Sequence, residues 1–418
     1  MKRVAIAGAL AGVTAVAVMG CRSQAEGDTE ATTSALYSLT AQVRAYKQAD
    51  GGAAILFRQT GQSTISELRG TPGARIMTNI GGVQGGTPWG YKRSDNVNAV
   101  VYIDSNRHLH ELSQWGGVWT DNDFYSVYGI NAPLAATSGQ EVFGYARADG
   151  VNTIIYTDSN KHIIEVSSNF GGSGPPWRPN DLTALFGAPV SYSQSPYPFR
   201  GVYNTDAIVY GASDQHIHAL WLVSGAWADH DLSIASGDLM SPSSQPWANG
   251  NRNEASVPGN NQVVFTGTDL KLHRLYDSGA CGGAGWCSEI LPSSNISPSH
   301  RPVSFFSPDF SLSFLYVEGG LGAGDKLHLV SKPRDNPVLS WTDTVIYSGG
   351  TSSLGDPFGY VPEALARVSV VFTKAATAGG TWGVEAWKPC VPGAGGYWGG
   401  AGGATVPCSP PPWFSEEF

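Results

Sequence analysis

The chain has 418 residues, with 25 Lys and Arg against 34 Asp and Glu, a formal net charge of −9 and only 14% charged residues. This acidic balance argues against nucleic acid and against anionic membrane surfaces as partners. Few charges together with 53 glycines and 13 tryptophans favour an all-β extracellular domain with many turns. Length alone would allow two or three domains.

Residues 1–20 predict a secretory signal. The basic pair Lys2-Arg3 precedes an apolar run of small residues, Val4–Gly20, which is too short for a membrane span. Val18–Cys21 (VMGC) resembles the bacterial lipobox, which implies cleavage before Cys21 and diacylation of its thiol. The alternative is an ordinary signal peptide and an incidental cysteine. We therefore expect an exported lipoprotein, periplasmic or on the cell surface, bound to the membrane through its N-terminal lipid, with residues 21–35 as a flexible tether.

Residues 36–388 contain a repeat. The step from Tyr102 to Tyr156 and from Tyr156 to Tyr210 is 54 residues each time. Every full copy has four short apolar or alternating runs separated by Gly, Asp, Asn or Ser, and such runs are typical of strands. Weaker copies on both sides bring the number to seven. Four antiparallel strands per repeat of this length predict one seven-bladed β-propeller, with six blades as the alternative.

The strands are clearest in the second copy, where they fall at residues 89–93, 97–102, 108–112 and 119–124, with Asp104-Ser105-Asn106 as a hairpin turn. The tail, residues 389–418, is rich in Gly and Pro and shows no clear strand. Residues 36–40 resemble residues 181–185 of the third copy. The sequence therefore predicts that this N-terminal segment supplies the outer strand of the last blade and closes the ring.

Seven of the nine histidines share one motif on the third strand: His108, His110, His162, His216, His218, His273 and His328. A His-x-His pair on a strand places both imidazoles on one face, where they could chelate a metal. Lys271 and Lys326 replace the first histidine in two copies, however, and lysine is a poor metal ligand. The pattern favours a structural role with imidazoles bonded to backbone, and we predict no metal site and no cofactor.

Each of three aspartates, Asp123, Asp181 and Asp231, follows a tryptophan by four positions. Catalytic groups converge on one place, whereas these aspartates are spread round a ring. We therefore expect carboxylates that cap backbone N–H groups at a turn or strand end.

Two further columns are candidates for ligand binding. One tryptophan recurs in each of five copies: Trp119, Trp177, Trp227, Trp286 and Trp341. Indole rings offer sugars a flat apolar face, but they also serve as packing between blades. The third strand carries glutamate at Glu67, Glu111 and Glu165, either as a sugar-hydroxyl acceptor or as a solvated strand residue.

The Val-Val-Tyr, His-Leu-His-Glu-Leu and Trp-x-x-x-Asp-Leu runs resemble the fucose-specific lectin superfamily, which includes the fungal fucolectins and seven-bladed lectins of Photorhabdus type. The resemblance covers about residues 36–388. It implies a sugar held between adjacent blades by an Arg, a Glu and a Trp or Tyr. By position, the matching residues are Glu111, Glu165, Trp119, Trp177 and Trp227.

The superfamily's arginine is expected on the second strand, where this chain has Val100, Ile154 and Val209. Arg93 and Arg147, on the preceding strand, are candidate replacements. The implied partners are glycans, with fucosylated, other deoxy or methylated sugars as candidates.

Two other functions stay open. A protein-binding scaffold or adhesin would use the loops at residues 237–259 and 292–301.

A glycosidase is less favoured, because no acid and nucleophile pair stands out from the repeat and no Ser-x-Asp-x-Gly-x-x-Trp box occurs. We therefore do not expect an enzyme.

Four cysteines remain after Cys21. In an exported chain, Cys281 with Cys287 and Cys390 with Cys408 are the simple disulfide pairs, and buried free thiols are the alternative.

Overall fold

The computed structural model describes Thr32–Thr33, residues 42–389 and Phe414–Glu417. Residues left out of the central range are 72–73, 128, 130–131, 139, 169–175, 193–195, 242–243, 251–260, 278–280, 282–284, 298–299, 307–311, 321–322, 333–339, 349–353, 361–366 and 377–379. The described part is built from strands, with two five-residue α-helices and a 3-10 turn at Val202–Asn204. None of its helices has the length and apolar character needed to cross a bilayer.

Seven antiparallel sheets follow one another along the chain, so the predicted seven-bladed propeller of four-stranded blades is confirmed. The strands of blade 1 are Arg44–Lys47, Ala53–Arg58, Ile65–Thr71 and Ala74–Gly81. Those of blade 2 are Trp89–Lys92, Asn98–Ile103, Leu109–Trp115 and Val118–Asp123. Blade 3 has Phe143–Ala146, Asn152–Thr157, Ile163–Ser168 and Trp177–Asp181, followed by helix Leu182–Phe186. Blade 4 has Tyr197–Arg200, Asp206–Gly211, Ile217–Val223 and Ala226–Asp231, followed by helix Leu232–Ser236.

The later blades are less regular. Blade 5 has Trp247–Gly250, Asn261–Thr266, Leu272–Asp277 and Trp286–Ile290. Blade 6 has Val303–Phe306, Leu312–Gly320, Ala323–Lys332 and Thr342–Ser348. Blade 7 has Phe358–Tyr360, Arg367–Ala376, Gly380–Pro389 and Phe414–Glu417, with Thr32–Thr33 on its outer side.

The ring closes differently from the sequence prediction. Phe414–Glu417 from the C-terminal tail pairs antiparallel with Gly380–Pro389 and is the fourth strand of blade 7. N-terminal residues do join this blade, but Thr32–Thr33 does so in parallel with Phe414–Glu417 as a fifth strand. The predicted segment, residues 36–40, lies outside the described residues. The C-terminal strand was missed because it is only four residues long and follows a Gly/Pro-rich stretch.

Blades pack through their inner strands, and glycine allows the close approach. A Cβ added to Gly90 of blade 2 would come within 2.4 Å of the Tyr46 ring of blade 1. A Cβ on Gly144 of blade 3 would meet the Tyr91 ring of blade 2 at the same distance. The Gly-Tyr pair in these strands therefore lets the tyrosine of one blade lie over the glycine of the next.

Aromatic side chains from the inner strands meet near the centre of the ring. Trp89 lies 4.7 Å from Phe143, 6.1 Å from Trp247 and 5.6 Å from Phe358 by ring centroids. The Arg301 guanidinium lies 5.6 Å from the Trp247 ring and pairs with Glu141 at 2.7 Å. The centre of the propeller is thus a packed core at this level, and the ligand candidates lie between the blades.

Candidate functional site: the clefts between blades

The predicted glutamates Glu67, Glu111 and Glu165 lie on the third strands of blades 1, 2 and 3. In the cleft between blades 2 and 3, Glu111 is fully buried. Its carboxylate accepts from the Tyr91 hydroxyl at 2.9 Å and from Arg93 Nη1 at 3.0 Å. Arg93 lies 5.9 Å from the Trp177 ring of blade 3. The structure therefore brings together Arg93, Glu111 and Trp177.

The cleft between blades 3 and 4 repeats this set. Glu165 is 2% exposed and accepts from Arg147 Nη1 at 3.1 Å and from Asn180 Nδ2 at 3.1 Å. The indole of Trp227, from blade 4, donates to the same carboxylate. Burial raises the pKa of the Glu165 carboxyl, and Arg147 and the neutral donors oppose that rise. Trp227 is 6% exposed, so this cleft is closed by its own side chains.

Trp119 lies in the cleft between blades 1 and 2, away from Glu111. It is half-buried and packs against an apolar cluster that contains Tyr46 and Val100. The glutamate of this cleft is Glu67, which accepts from the Tyr46 hydroxyl at 2.6 Å and from Arg69 Nε at 2.6 Å. Trp119 and Glu111 both belong to blade 2, but they lie in different clefts.

At the three positions where the resemblance predicts it, the second strands of blades 2, 3 and 4 carry no arginine. Val100, Ile154 and Val209 are fully buried aliphatic side chains. Arg93 and Arg147 reach the glutamates instead, each from the residue after a first strand. Both guanidiniums also pair with an aspartate two residues on, Asp95 at 2.8 Å and Asp149 at 2.5 Å.

A fourth cleft, between blades 5 and 6, holds the same chemical groups in a more open arrangement. Arg274 occupies the glutamate column and donates to Glu289 on the neighbouring strand at 2.9 Å. The indole of Trp341, from blade 6, donates to the other Glu289 oxygen at 2.7 Å. The Arg274 guanidinium lies 4.3 Å from the Tyr276 ring and 5.4 Å from the Trp341 ring.

This cleft is accessible: the Glu289 side chain is 33% exposed, and Trp341 and Tyr276 are half-buried. Sequence analysis found Trp341 as a column member but missed the site. The pairing of the third and fourth strands would have revealed the site. Arg274 and Glu289 are paired in blade 5 at the positions where Glu165 and Asn180 are paired in blade 3. The carboxylate is therefore on the third strand in blade 3 and on the fourth strand in blade 5.

Two other clefts have different contents. Ala219 takes the glutamate position in blade 4, and the half-buried Trp286 of blade 5 lies 6.4 Å from Trp221. Between blades 7 and 1, the buried Glu385 pairs with Arg75, which stands near the tryptophan position of blade 1. The glutamate column is therefore an interblade contact, and its partner differs from cleft to cleft.

The histidines bond to carboxylates, not to the backbone as predicted. His110 Nδ1 lies 3.1 Å from Asp121, and His328 lies 2.9 Å from Asp343 and 3.1 Å from Glu318. Although burial lowers the pKa of His110 and His328, their carboxylate partners outweigh it and raise both above the usual value.

The predicted role of the aspartates in capping is confirmed. Asp181 accepts from Ala184 N at 2.8 Å and Asp231 from Ile234 N at 2.8 Å, each at the N-terminus of a short helix. Asp123 accepts from Tyr125 N at 2.9 Å in a turn.

The predicted disulfide Cys281–Cys287 is present, with its Cα atoms 5.2 Å apart. Cys390 and Cys408 lie outside the described residues, as does Cys21.

No protein-family model and no curated protein matches the sequence. Among solved structures, the BP39L lectin from Burkholderia pseudomallei matches with a TM-score of 0.63 at 12% identity, over 88% of this chain and 100% of that chain. The fucose-specific lectin from Aleuria aurantia matches at 15% identity and a TM-score of 0.41, over 90% of this chain and 99% of its own. AofleA from Arthrobotrys oligospora matches at 9% identity and a TM-score of 0.41, over 91% and 90%. The BP39L match shows that this chain has the fold of a known lectin, as the sequence resemblance predicts.

Proposed function

We propose that this protein is a non-enzymatic, glycan-binding propeller and that its best-formed sugar site is the cleft between blades 5 and 6. The observation that supports this most directly is the partly exposed, hydrogen-bonded set of Arg274, Glu289 and Trp341. The fold shared with the BP39L lectin is consistent with the proposal.

The chemistry of the cleft suits a sugar. Tyr276 and Trp341 offer aromatic faces on which C–H groups of a pyranose can stack. Glu289 accepts hydrogen bonds from hydroxyls, and the Arg274 guanidinium donates to ring or hydroxyl oxygens. A sugar with an extended apolar face, such as a deoxy or methylated sugar, uses both kinds of contact.

The clefts on either side of blade 3 are weaker candidates in their present conformation. Glu111 and Glu165 already accept from protein donors and are almost fully buried. A ligand would first have to separate the side chains that bury these two carboxylates, whereas Glu289 is already 33% exposed. Glu111, Glu165, Trp177, Trp227, Arg93 and Arg147 stay predicted site residues, and sugar binding there requires the clefts to open.

The test is a glycan array with the purified full chain, followed by titration of the best ligand with intrinsic tryptophan fluorescence. We expect dissociation constants on the order of millimolar to micromolar for one site. Trp341→Ala should weaken binding at least about tenfold, and Glu289→Gln should weaken it similarly. Trp286→Ala is the matched control, since Trp286 holds the same column in the cleft where Ala219 takes the glutamate position.

Two results would refute the proposal. One is a folded protein that binds no glycan on the array. The other is an equal loss of binding in Trp341→Ala and Trp286→Ala, which would place the sugar elsewhere. Retention of a protein partner without any glycan would favour the scaffold alternative.

The N-terminus supports a second part of the proposal, which concerns location. We infer that Cys21 is diacylated after export and anchors the chain to a membrane, because Val18–Cys21 (VMGC) follows a short apolar signal. Cys21→Ser should move the protein from the membrane fraction to the soluble fraction in cells of the producing bacterium. Unchanged fractionation would contradict anchoring by lipid.

A further inference from the structure

Two histidines and two aspartates converge in blade 4. His216 and His218 lie at the start of the third strand, Asp214 in the preceding turn and Asp231 at the end of the fourth strand. One ligand atom from each of the four lies within 4.8 Å of all the others. His216 Nδ1 is 2.7 Å from Asp231 Oδ2, and His218 Nε2 is 3.5 Å from Asp214 Oδ2 and 3.7 Å from Asp231 Oδ2.

Each carboxylate is oriented by its second oxygen. Asp214 Oδ1 accepts from the backbone N–H of His216 at 2.9 Å, and Asp231 Oδ1 caps the helix that follows through Ile234 N at 2.8 Å. The Oδ2 atoms of both aspartates are therefore left to face the imidazoles. Such anchoring by outer contacts is what holds metal-ligating carboxylates in place.

His218 provides the strongest indication of a ligand. It is 5% exposed, and its Nδ1 bonds to Asp229 Oδ2 at 2.9 Å. Its Nε2 is buried without a hydrogen-bond partner and points between Asp214 and Asp231. A histidine with a carboxylate on one ring nitrogen and no partner on the other has the outer contact that orients zinc-ligating histidines.

The spacing also fits a tetrahedral ion. Zinc bonds to nitrogen and oxygen ligands of about 2.0–2.2 Å place neighbouring ligand atoms about 3.4 Å apart. The four separations between a histidine nitrogen and an aspartate oxygen run from 2.7 to 3.9 Å. Small side-chain adjustments would bring them to that value. Asp214 is exposed, which leaves a path for the ion from solvent.

Other blades carry part of this set. Blade 2 has both histidines, His108 and His110, but Asn106 stands in the position of Asp214, and it donates its amide to Asp104 at 3.2 Å. Blade 5 has the turn aspartate, Asp269, but Lys271 replaces the first histidine. Within the described residues, blade 4 alone brings the four ligand atoms together.

We propose that Asp214, His216, His218 and Asp231 bind one divalent transition-metal ion, with Zn²⁺ as the best fit, and that the ion fastens the turn to the third and fourth strands of blade 4. Imidazole and carboxylate ligands in a tetrahedral set suit zinc and admit Co²⁺ as a spectroscopic substitute. The role is structural, since all four positions around the ion are taken by protein.

The test is titration of chelator-treated full chain with Zn²⁺ by calorimetry and with Co²⁺ by visible absorption. We expect one ion per chain with the intense absorption of tetrahedral Co²⁺. His218→Ala should abolish that signal. Asp214→Asn, which gives blade 4 the residue of blade 2 at an exposed position, should remove a ligand without unfolding the blade. Asp229→Asn should lower affinity about 10- to 100-fold through the orientation of His218.

The matched control is the double variant His108→Ala/His110→Ala in blade 2, which should bind as the native chain does. A native chain that binds neither ion would overturn the proposal. So would binding that survives both Asp214→Asn and His216→Ala, or that is lost equally in the blade 2 control.

Discussion

The cleft between blades 3 and 4 and the cleft between blades 5 and 6 contain the same three groups and use them differently. In both, an indole N–H and a guanidinium donate to one carboxylate. Glu165 is 2% exposed, whereas the Glu289 side chain is 33% exposed. The same set therefore joins blades together in the first cleft and is partly exposed to solvent in the second.

The reason lies in which strand carries the carboxylate. Glu165 projects from the third strand, under the neighbouring blade, and Asn180 on the fourth strand completes its hydrogen bonding. Glu289 projects from the fourth strand, the outer edge of blade 5, where solvent reaches it. Residue identity sets the chemistry of an interblade cleft, and strand position sets its accessibility.

The largest expected effect is on the closed cleft. Glu165→Ala removes the buried carboxylate that pairs with Arg147 and leaves Asp149 as its remaining partner, so the free energy of unfolding should fall by about 3 kcal/mol in chemical denaturation. Glu165→Gln, which keeps an oxygen for Asn180 and Trp227, should cost less. A loss below about 1 kcal/mol for Glu165→Ala would mean that the cleft is open in solution.

The next effect concerns the disulfide beside the open cleft. Cys287 lies on the strand that carries Glu289 and is bonded to Cys281, six positions earlier. Cys281→Ser/Cys287→Ser should lower the free energy of unfolding by about 2 kcal/mol, because so short a loop constrains the unfolded chain only modestly. Glycan affinity should fall with it. Unchanged affinity would show that the strand is held without the disulfide.

A smaller effect is expected for Glu289→Ala. Its ion pair with Arg274 is partly solvated, so the free energy of unfolding should change by about 1 kcal/mol or less. Sugar binding should nevertheless be lost, as the fluorescence titration would show. A loss of stability as large as that of Glu165→Ala would remove the distinction between the two clefts.

The smallest effect is a pH dependence from blade 6, which carries Trp341. Burial lowers the pKa of His328, but hydrogen bonds to Asp343 and Glu318 raise it above its ordinary value of 6.5. A raised pKa stabilises the folded state fully below pH 6.5, and that contribution is lost as pH rises through the folded pKa. NMR titration of His328 should show the upward shift, and His328→Gln should flatten the fall of stability above pH 6.5. A titration midpoint below 6.5 would contradict this account.

The fold could be predicted from sequence because it repeats. The step between Tyr102, Tyr156 and Tyr210 sets the blade length, and these tyrosines are fully buried at the same place in their second strands. The strand that closes the ring could not be predicted in the same way. Phe414–Glu417 is too short to stand out by alternation, and its pairing with Gly380–Pro389 spans a long Gly/Pro-rich interval.

The candidate site was predictable in composition but not in location. The Arg, Glu and Trp columns were found, and Arg93 and Arg147 do reach their glutamates. Exposure depends on packing between blades, which alternation within one strand does not reveal. Arg274 and Glu289 were missed because in blade 5 the third strand carries the arginine and the fourth strand carries the glutamate. Only the pairing of these two strands shows that the two residues are neighbours.

Two segments that are far apart in the sequence, Thr32–Thr33 and Phe414–Glu417, lie side by side in blade 7. The fourth strand of this blade follows its third strand only after residues 390–413, whereas the strands of the other blades follow one another more closely along the chain. Without Phe414–Glu417, one edge of Gly380–Pro389 would have no partner strand. Deleting Phe414–Glu417 should therefore reduce folding yield and solubility more than deleting four residues from a surface loop.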